Sequence, residues 1–408
     1  MYRRYFYGWN VVGATFVMAL FSFGLGFYGL SVYVATLQRL HGWSASAVSA
    51  PVTVYYVAGA LVTMVAGDLY RAWGPRVVVA AGGAAMSVGV ATLGVIARPW
   101  QLYPAFLVMA LGWGAMSGAA INIILAPWFQ RRRGLAVSIA FNGATLGGVI
   151  ITPALILLMD RLGFARALAL AALASFVSLL ALATAVMRGD PEALGLGPDG
   201  DRDASARAEA SRSDPRRRDA VRTWRFWSVS APFALGLAAQ VGVLTHLVAC
   251  VTPTLGTAGA ARVVSTTTAS ALIGRLVTGV FIDRANRRLV SSATLAIQIA
   301  GVGLLAWAPA TAVVYAGCVL FGLGVGNLTT LPALILAVEW PRERFSTLVG
   351  MVVGINQLTF AFGPSLVGVI RDWSGAYGPA LMACAGLQAI AATVVLLGGE
   401  RAPRLARP

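Results

Sequence analysis

Twelve predominantly apolar stretches, at about 9–37, 45–70, 76–97, 101–127, 134–159, 165–187, 226–252, 260–282, 289–308, 311–338, 345–370 and 376–398, occupy most of this 408-residue chain. A helix needs about 20 such residues to cross the roughly 30 Å hydrocarbon core of a bilayer. Backbone groups in lipid have no water to bond, so runs of this kind fold as helices that satisfy their own peptide groups. With 58% hydrophobic residues and 11% charged ones, the chain is too apolar for an ordinary soluble domain. The expected fold is an all-α integral membrane protein of twelve transmembrane helices. The opening Met1-Tyr-Arg-Arg-Tyr-Phe-Tyr-Gly-Trp runs into span 1 without a small-residue cleavage site, so it reads as a retained first helix. Cys250, Cys318 and Cys384 all lie in or at the end of apolar runs, which argues against disulfides and against a metal site.

The net charge of +16 has no lysine in it. Twelve spans put both termini on one side; 24 arginines fall there, six on the other, those at span ends included, and Arg275 is the one well inside a span. This bias follows the positive-inside rule and predicts cytoplasmic termini and an inner-membrane location. The excess charge is a topology signal. Nucleic acid is not an expected partner; the lipid bilayer is.

Between Arg188 and Arg225 the composition shifts to Gly, Pro, Ser, Asp and Arg. Nothing there can bury a core, so it reads as a solvated cytoplasmic linker, largely disordered. Its role is a tether, with a regulatory site as the alternative. The expected organisation is an N-terminal six-helix bundle (1–188), the linker (189–224) and a C-terminal six-helix bundle (225–408). The halves echo each other: Thr152-Pro153 and Asp160-Arg161 follow span 5, and Gly363-Pro364 and Arg371-Asp372 follow span 11. Such repeats recur among transporters with a central binding site. Gly322-x-Gly324-x-Gly326 looks superficially like a phosphate loop, but it lies inside an apolar span, where small residues serve close helix packing.

The run Trp128-Phe129-Gln130-Arg131-Arg132-Arg133-Gly134-Leu135-Ala136, with Asn142-Gly143 beyond it, resembles the element leading into helix 5 of the major facilitator superfamily. It is most similar to the monocarboxylate-transporter and oxalate/formate-antiporter branches. Tyr7-Gly8-Trp9, Leu194-Gly195-Leu196-Gly197-Pro198-Asp199-Gly200, Phe226-Trp227 and Arg275 in span 8 fit the same pattern. The resemblance implies two pseudo-symmetric six-helix bundles that rock around a substrate, and a substrate-binding role for Arg275. There are departures. The loop after span 2 carries Arg71-Ala72 where the family usually has an Asp followed by a basic residue, whereas Asp283-Arg284 retain the pattern after span 8. Helix 1 has no Lys and position 271 is Ala, so the family's proton-relay assignment is not carried over.

Arg275 stands eight residues before Asp283, about 12 Å from the cytoplasmic helix end at 1.5 Å per residue. A cation at that depth costs at least about 2.5–3.5 kcal/mol on insertion scales. No Asp or Glu occurs in the interior of the predicted spans; Asp68 stands two residues from the end of span 2. A guanidinium can hold a carboxylate bidentately and cannot shed its proton, so an anionic substrate is the expected partner; carbonyls of broken helices are the alternative. Asn122, Asn327, Asn356, Gln357 and Tyr28 are candidate substrate contacts, or else interhelical bonds. His246 is the one titratable candidate for proton coupling within a span, or else a packing residue. Asp283, Arg284, Arg131, Arg132, Arg133 and Glu339 belong to the cytoplasmic rim; the resemblance implies conformational charge contacts there, and headgroup anchoring is the plain alternative.

These features predict a transporter of small monocarboxylates such as lactate or pyruvate, coupled to protons and working as a monomer without a cofactor or metal. Exchange of two organic anions and export of a drug-like compound are the rival readings. No nucleophile–base pair or His/Cys/Asp/Glu cluster points to an enzyme.

Overall fold

The computed structural model describes residues 6–187, 191–194, 197–200, 222–282, 284–307, 310–340 and 342–398. The expectation of a largely disordered linker falls mostly outside the described residues, and Asp283 lies outside them altogether.

Among the described residues every regular element is helical, and nine helices are long and apolar enough to cross a membrane. Two are too long for one crossing. Ala45–Leu93 has 49 residues and Trp224–Phe281 has 58, about 74 and 87 Å at 1.5 Å per residue. Each is broken at a glycine, Gly74 (φ 71°, ψ 166°) and Gly256 (φ 67°, ψ −179°). That region of backbone space is essentially reserved for glycine, so one residue ends one crossing and starts the next.

The crossings are therefore α1 (Gly8–His41), α2 and α3 (the arms of Ala45–Leu93 before and after Gly74), α4 (Pro99–Leu125), α5 (Arg133–Leu162) and α6 (Phe164–Ala185). After the linker come α7 and α8 (the arms of Trp224–Phe281 before and after Gly256), α9 (Arg287–Trp307), α10 (Thr311–Val325 with Leu331–Glu339), α11 (Arg342–Phe360 with Gly363–Ser374) and α12 (Tyr377–Leu397). The twelve-span, all-α membrane fold expected from the apolar runs is present.

The chain divides into two units. The first comprises α1, most of α2, α3 to α6, and Gly256–Ser265; the second comprises α7, the rest of α8, α9 to α12, and Ser44–Ser49. In the first unit Met18, Tyr33, Tyr55, Phe106 and Trp128 form fully buried anchors. In the second, Phe226, Phe233, Leu295, Leu328 and Leu336 do so.

Both units use the same helix pairs. A methyl added at Gly143 or Gly147 of α5 would strike the α1 carbonyls of Phe16 and Leu20, and one at Gly363 of α11 would strike the Ala238 carbonyl of α7. Likewise Gly114 of α4 rests against Gly59 of α2, and Gly322 of α10 against Thr267 of α8. In lipid, close approach of this kind replaces hydrophobic burial as the packing force.

The crossings are not all continuous, which apolar periodicity does not reveal. α1 and α5 each widen into a π-turn, at Gly24–Tyr28 and Gly147–Ile151. α4 is interrupted at Ser117, which is extended (φ −70°, ψ −175°). α10 leaves the helix between Val325 and Leu331, and α11 between Phe360 and Gly363.

Candidate substrate site

The interruption of α10 follows from its sequence. Gly322, Gly324 and Gly326 hold the helix weakly, and Pro332 cannot donate to the carbonyl four residues back. The helix restarts through Leu331 N–H to Asn327 O at 3.0 Å, with Thr330 N–H sharing that carbonyl. The Asn327 side chain then ties the turn to α8. Its Nδ2 donates to Thr278 Oγ1 (2.9 Å), to Gly274 O (3.4 Å) and to Leu323 O in its own helix (3.2 Å). Gly274 and Thr278 flank Arg275, so the amide grips α8 on either side of the arginine.

Arg275 itself is half-buried. A methyl placed on Gly326 would lie 3.0 Å from its Nε and 3.2 Å from its Nη2. The three glycines of the repeat thus clear space for three different things: Gly322 for the Thr267 carbonyl, Gly324 for the Gln298 side chain, and Gly326 for the Arg275 guanidinium. Helix packing was the expected role; accommodation of the half-buried Arg275 is the part the sequence pattern did not show.

The corresponding break in the first unit is finished by hydroxyl groups. The α4 carbonyls freed around Ser117 are taken by hydroxyls: Gly114 O by Thr63 (3.3 Å), Ala115 O by Tyr70 (2.9 Å) and Met116 O by Ser22 (3.3 Å). Asn122 donates to Gly118 O four residues back (3.1 Å), a bond within its own helix. Tyr28 sits half-buried in the α1 π-turn, its ring edge-on to Phe27 at 5.1 Å.

In the second unit Asn356 is buried and Gln357 half-buried, ahead of the α11 break. His246 is fixed through both ring nitrogens: Nε2 donates to Pro364 O (3.0 Å), which leaves Nδ1 to accept from Tyr377 Oη (3.4 Å). Arg371 stacks over Tyr377 (5.8 Å), and Asp372 accepts from Ala45 and Ser46 N–H (2.9 and 2.7 Å), capping the first turn of α2.

A match to the Major Facilitator Superfamily runs from residue 16 to 364. The chain belongs to that superfamily. It is 31% identical over 172 residues to human "Monocarboxylate transporter 11", covering 40% of this chain and 35% of that one. It is 36% identical over 112 residues to a "Putative anionic 4-hydroxy-benzoate permease" of Thauera aromatica, covering 28% of this chain and 63% of that one. Each match spans less than two thirds of the relative's own length. The crystal structure of "nucleoside transporter NupG" superposes with a TM-score of 0.76 over 95% of this chain and 99% of that one, at 13% identity, which speaks to fold alone. This superfamily member thus has a multi-pass, helical membrane fold.

The superfamily-like motifs of the first unit come together at one place. The Trp128 and Phe129 rings pack on Phe6, Tyr7 and Trp9, with centroids 5.1–6.2 Å apart. The Asp199 carboxylate accepts from the N–H groups of Gln130 (3.0 Å), Arg131 (2.8 Å) and Arg132 (3.4 Å), and its own N–H donates to Trp128 O (2.9 Å). Arg131, Arg132 and Arg133 have exposed side chains.

On the rim of the second unit, Glu339 is held by Arg288 Nε and Nη2 (2.6 and 2.8 Å), with Arg225 3.8 Å away. Arg284 is exposed. In the first unit Asp68, three residues upstream of the position where the family usually has its Asp, pairs with Arg71 at an exposed site.

Sequence reasoning missed Arg288, which is 5% exposed and also donates to Val395 O and Ser228 Oγ. It also missed a fully buried amide chain, Gln388 to Gln298 (2.6 Å) to Gln240 (2.9 Å), linking α12, α9 and α7. One amide in each of three separate spans was the available signal.

Proposed function

We propose that this chain is a secondary transporter of small monocarboxylates, of the size of lactate or pyruvate, working by alternating access with Arg275 as the anion-binding group. The observation that carries the reading is a guanidinium within the apolar α8, six residues before its last residue Phe281, seated against a break in α10 whose Asn327 is anchored to either side of it. Discontinuous helices at mid-membrane are where transporters of several folds bind their substrates. The printed names of two relatives, a monocarboxylate transporter and an anionic hydroxybenzoate permease, support an organic acid as cargo.

Proton symport fits the energetics. A lone anion entering against a negative-inside potential costs about 2.3 kcal/mol per 100 mV, and an anion with a proton crosses neutral. The arginine bias supports cytoplasmic termini in an inner membrane, and the protein is read as working as a monomer. Labelled L-lactate uptake into proteoliposomes tests the proposal: an inward proton gradient accelerates it, and absence of gradient dependence removes the symport.

One observation favours a second reading. With both ring nitrogens of His246 engaged, exchange of two organic anions needs no proton site. Under exchange, external substrate accelerates efflux while net uptake stays negligible.

A further inference from the structure

We infer that Gly326 is a positioning residue for the anion-binding arginine: its missing side chain is the slot that sets where the Arg275 guanidinium lies. The inference rests on the role proposed for Arg275 above and deepens it. A side chain at position 326 would begin 3.0 Å from Arg275 Nε and 3.2 Å from Nη2, with Ala271 O also at 3.0 Å. At these distances the neighbouring atoms must give by a few tenths of an ångström.

The α10 turn is poorly placed to shift, because Asn327 Nδ2 holds it to Gly274 O, Thr278 Oγ1 and Leu323 O. The flexible end of Arg275 is the part that gives. Alanine at 326 therefore moves the guanidinium rather than the helices. A bidentate carboxylate contact is sensitive to such movement, since displacements of about 1 Å can cost on the order of 100-fold.

Glycines elsewhere in the unit supply the contrast. Gly303 on α9 has open space where its side chain would stand, so Gly303→Ala is the matched control.

The experiment compares wild type, Gly303→Ala, Gly326→Ala, Arg275→Ala and Arg275→Ala/Gly326→Ala in proteoliposomes. It uses labelled L-lactate and labelled benzoate as probes and records KM, kcat and thermal unfolding for each. The expected result is a KM raised at least about tenfold in Gly326→Ala, with kcat within about threefold. Gly303→Ala stays at wild-type values, and the double variant equals Arg275→Ala.

If Gly326→Ala keeps the wild-type KM while Arg275→Ala abolishes uptake, the positioning inference is overturned and the binding role of Arg275 stands. If Arg275→Ala transports normally, the binding role itself fails. Should Gly326→Ala not fold, the double variant decides. Recovery of folding on removal of the guanidinium supports the slot, and a double variant that stays unfolded places the clash on backbone and overturns it.

Discussion

The breaks in α4 and α10 occupy corresponding positions in the two units, yet they are finished differently. At Ser117 the freed carbonyls go to Thr63, Tyr70 and Ser22, all neutral hydroxyls. At Gly326 and Asn327 the turn is tied by an amide and a threonine, and an arginine side chain lies against it. One interruption is closed by the protein itself; the other has a cation beside it. A duplicated scaffold can therefore keep the same helix pairs and glycine crossings in each half while recognition of charge is concentrated in one.

The sharpest way to break this comparison is to remove the polar group on each side. Arg275→Ala is expected to reduce carboxylate uptake by at least about 100-fold, consistent with losing a charge-assisted bidentate contact. Thr63→Ala at the α4 break should leave KM within about threefold. Equal losses in the two variants would mean that both breaks serve structure alone.

A second contrast lies at the cytoplasmic rims, read by stability instead of transport. Arg288→Ala leaves Glu339 with Arg225 alone, 3.8 Å away, and removes the donor to Ser228 Oγ and Val395 O. Breaking a buried ion pair from one side costs about 3–5 kcal/mol, so detergent-solubilised protein should show a marked fall in unfolding temperature. In the first unit, Asp68→Asn removes an exposed neighbouring pair, and such pairs contribute about 0–1 kcal/mol. Its melting curve should overlay that of wild type.

Smaller effects are expected where a single cap is lost. Asp199→Ala removes the acceptor for three N–H groups ahead of α5, at a cost of about 1–2 kcal/mol. It should also speed proteolytic cleavage near residue 199. Asn122→Ala removes only a bond to its own helix; stability within about 0.5 kcal/mol and an unchanged KM are expected. A large rise in KM there would reassign Asn122 to the substrate.

Much of this architecture was legible because lipid leaves a chain few choices. The apolar runs, the arginine bias and the Arg275 anomaly each follow from solvation cost. The broken helices were not legible. At Ser117 what permits the break is a partner far away in sequence, Tyr70 for Ala115 O, and at Gly326, where the glycines and Pro332 weaken the helix, only the fold brings Gly274 and Thr278 of α8 to receive Asn327. Arg288 was hidden for a similar reason. Beside Arg287 it reads as one more loop cation, and only the fold brings Glu339, 51 residues on, to meet it. Asp199 was noticed as part of a motif, but its use as a cap for residues some 67–69 positions earlier needed coordinates.

The most direct test of the claim that the α8–α10 pair recognises an organic anion is ligand-induced stabilisation of the purified protein against a carboxylate panel. A ligand that binds only the folded form stabilises by RT ln(1 + [L]/Kd), about 2.7 kcal/mol at one hundred times Kd. Wild type should shift with at least one small monocarboxylate and not with its methyl ester, and Arg275→Ala should lose that shift while remaining folded. A carboxylate shift that persists unchanged in Arg275→Ala would contradict the account.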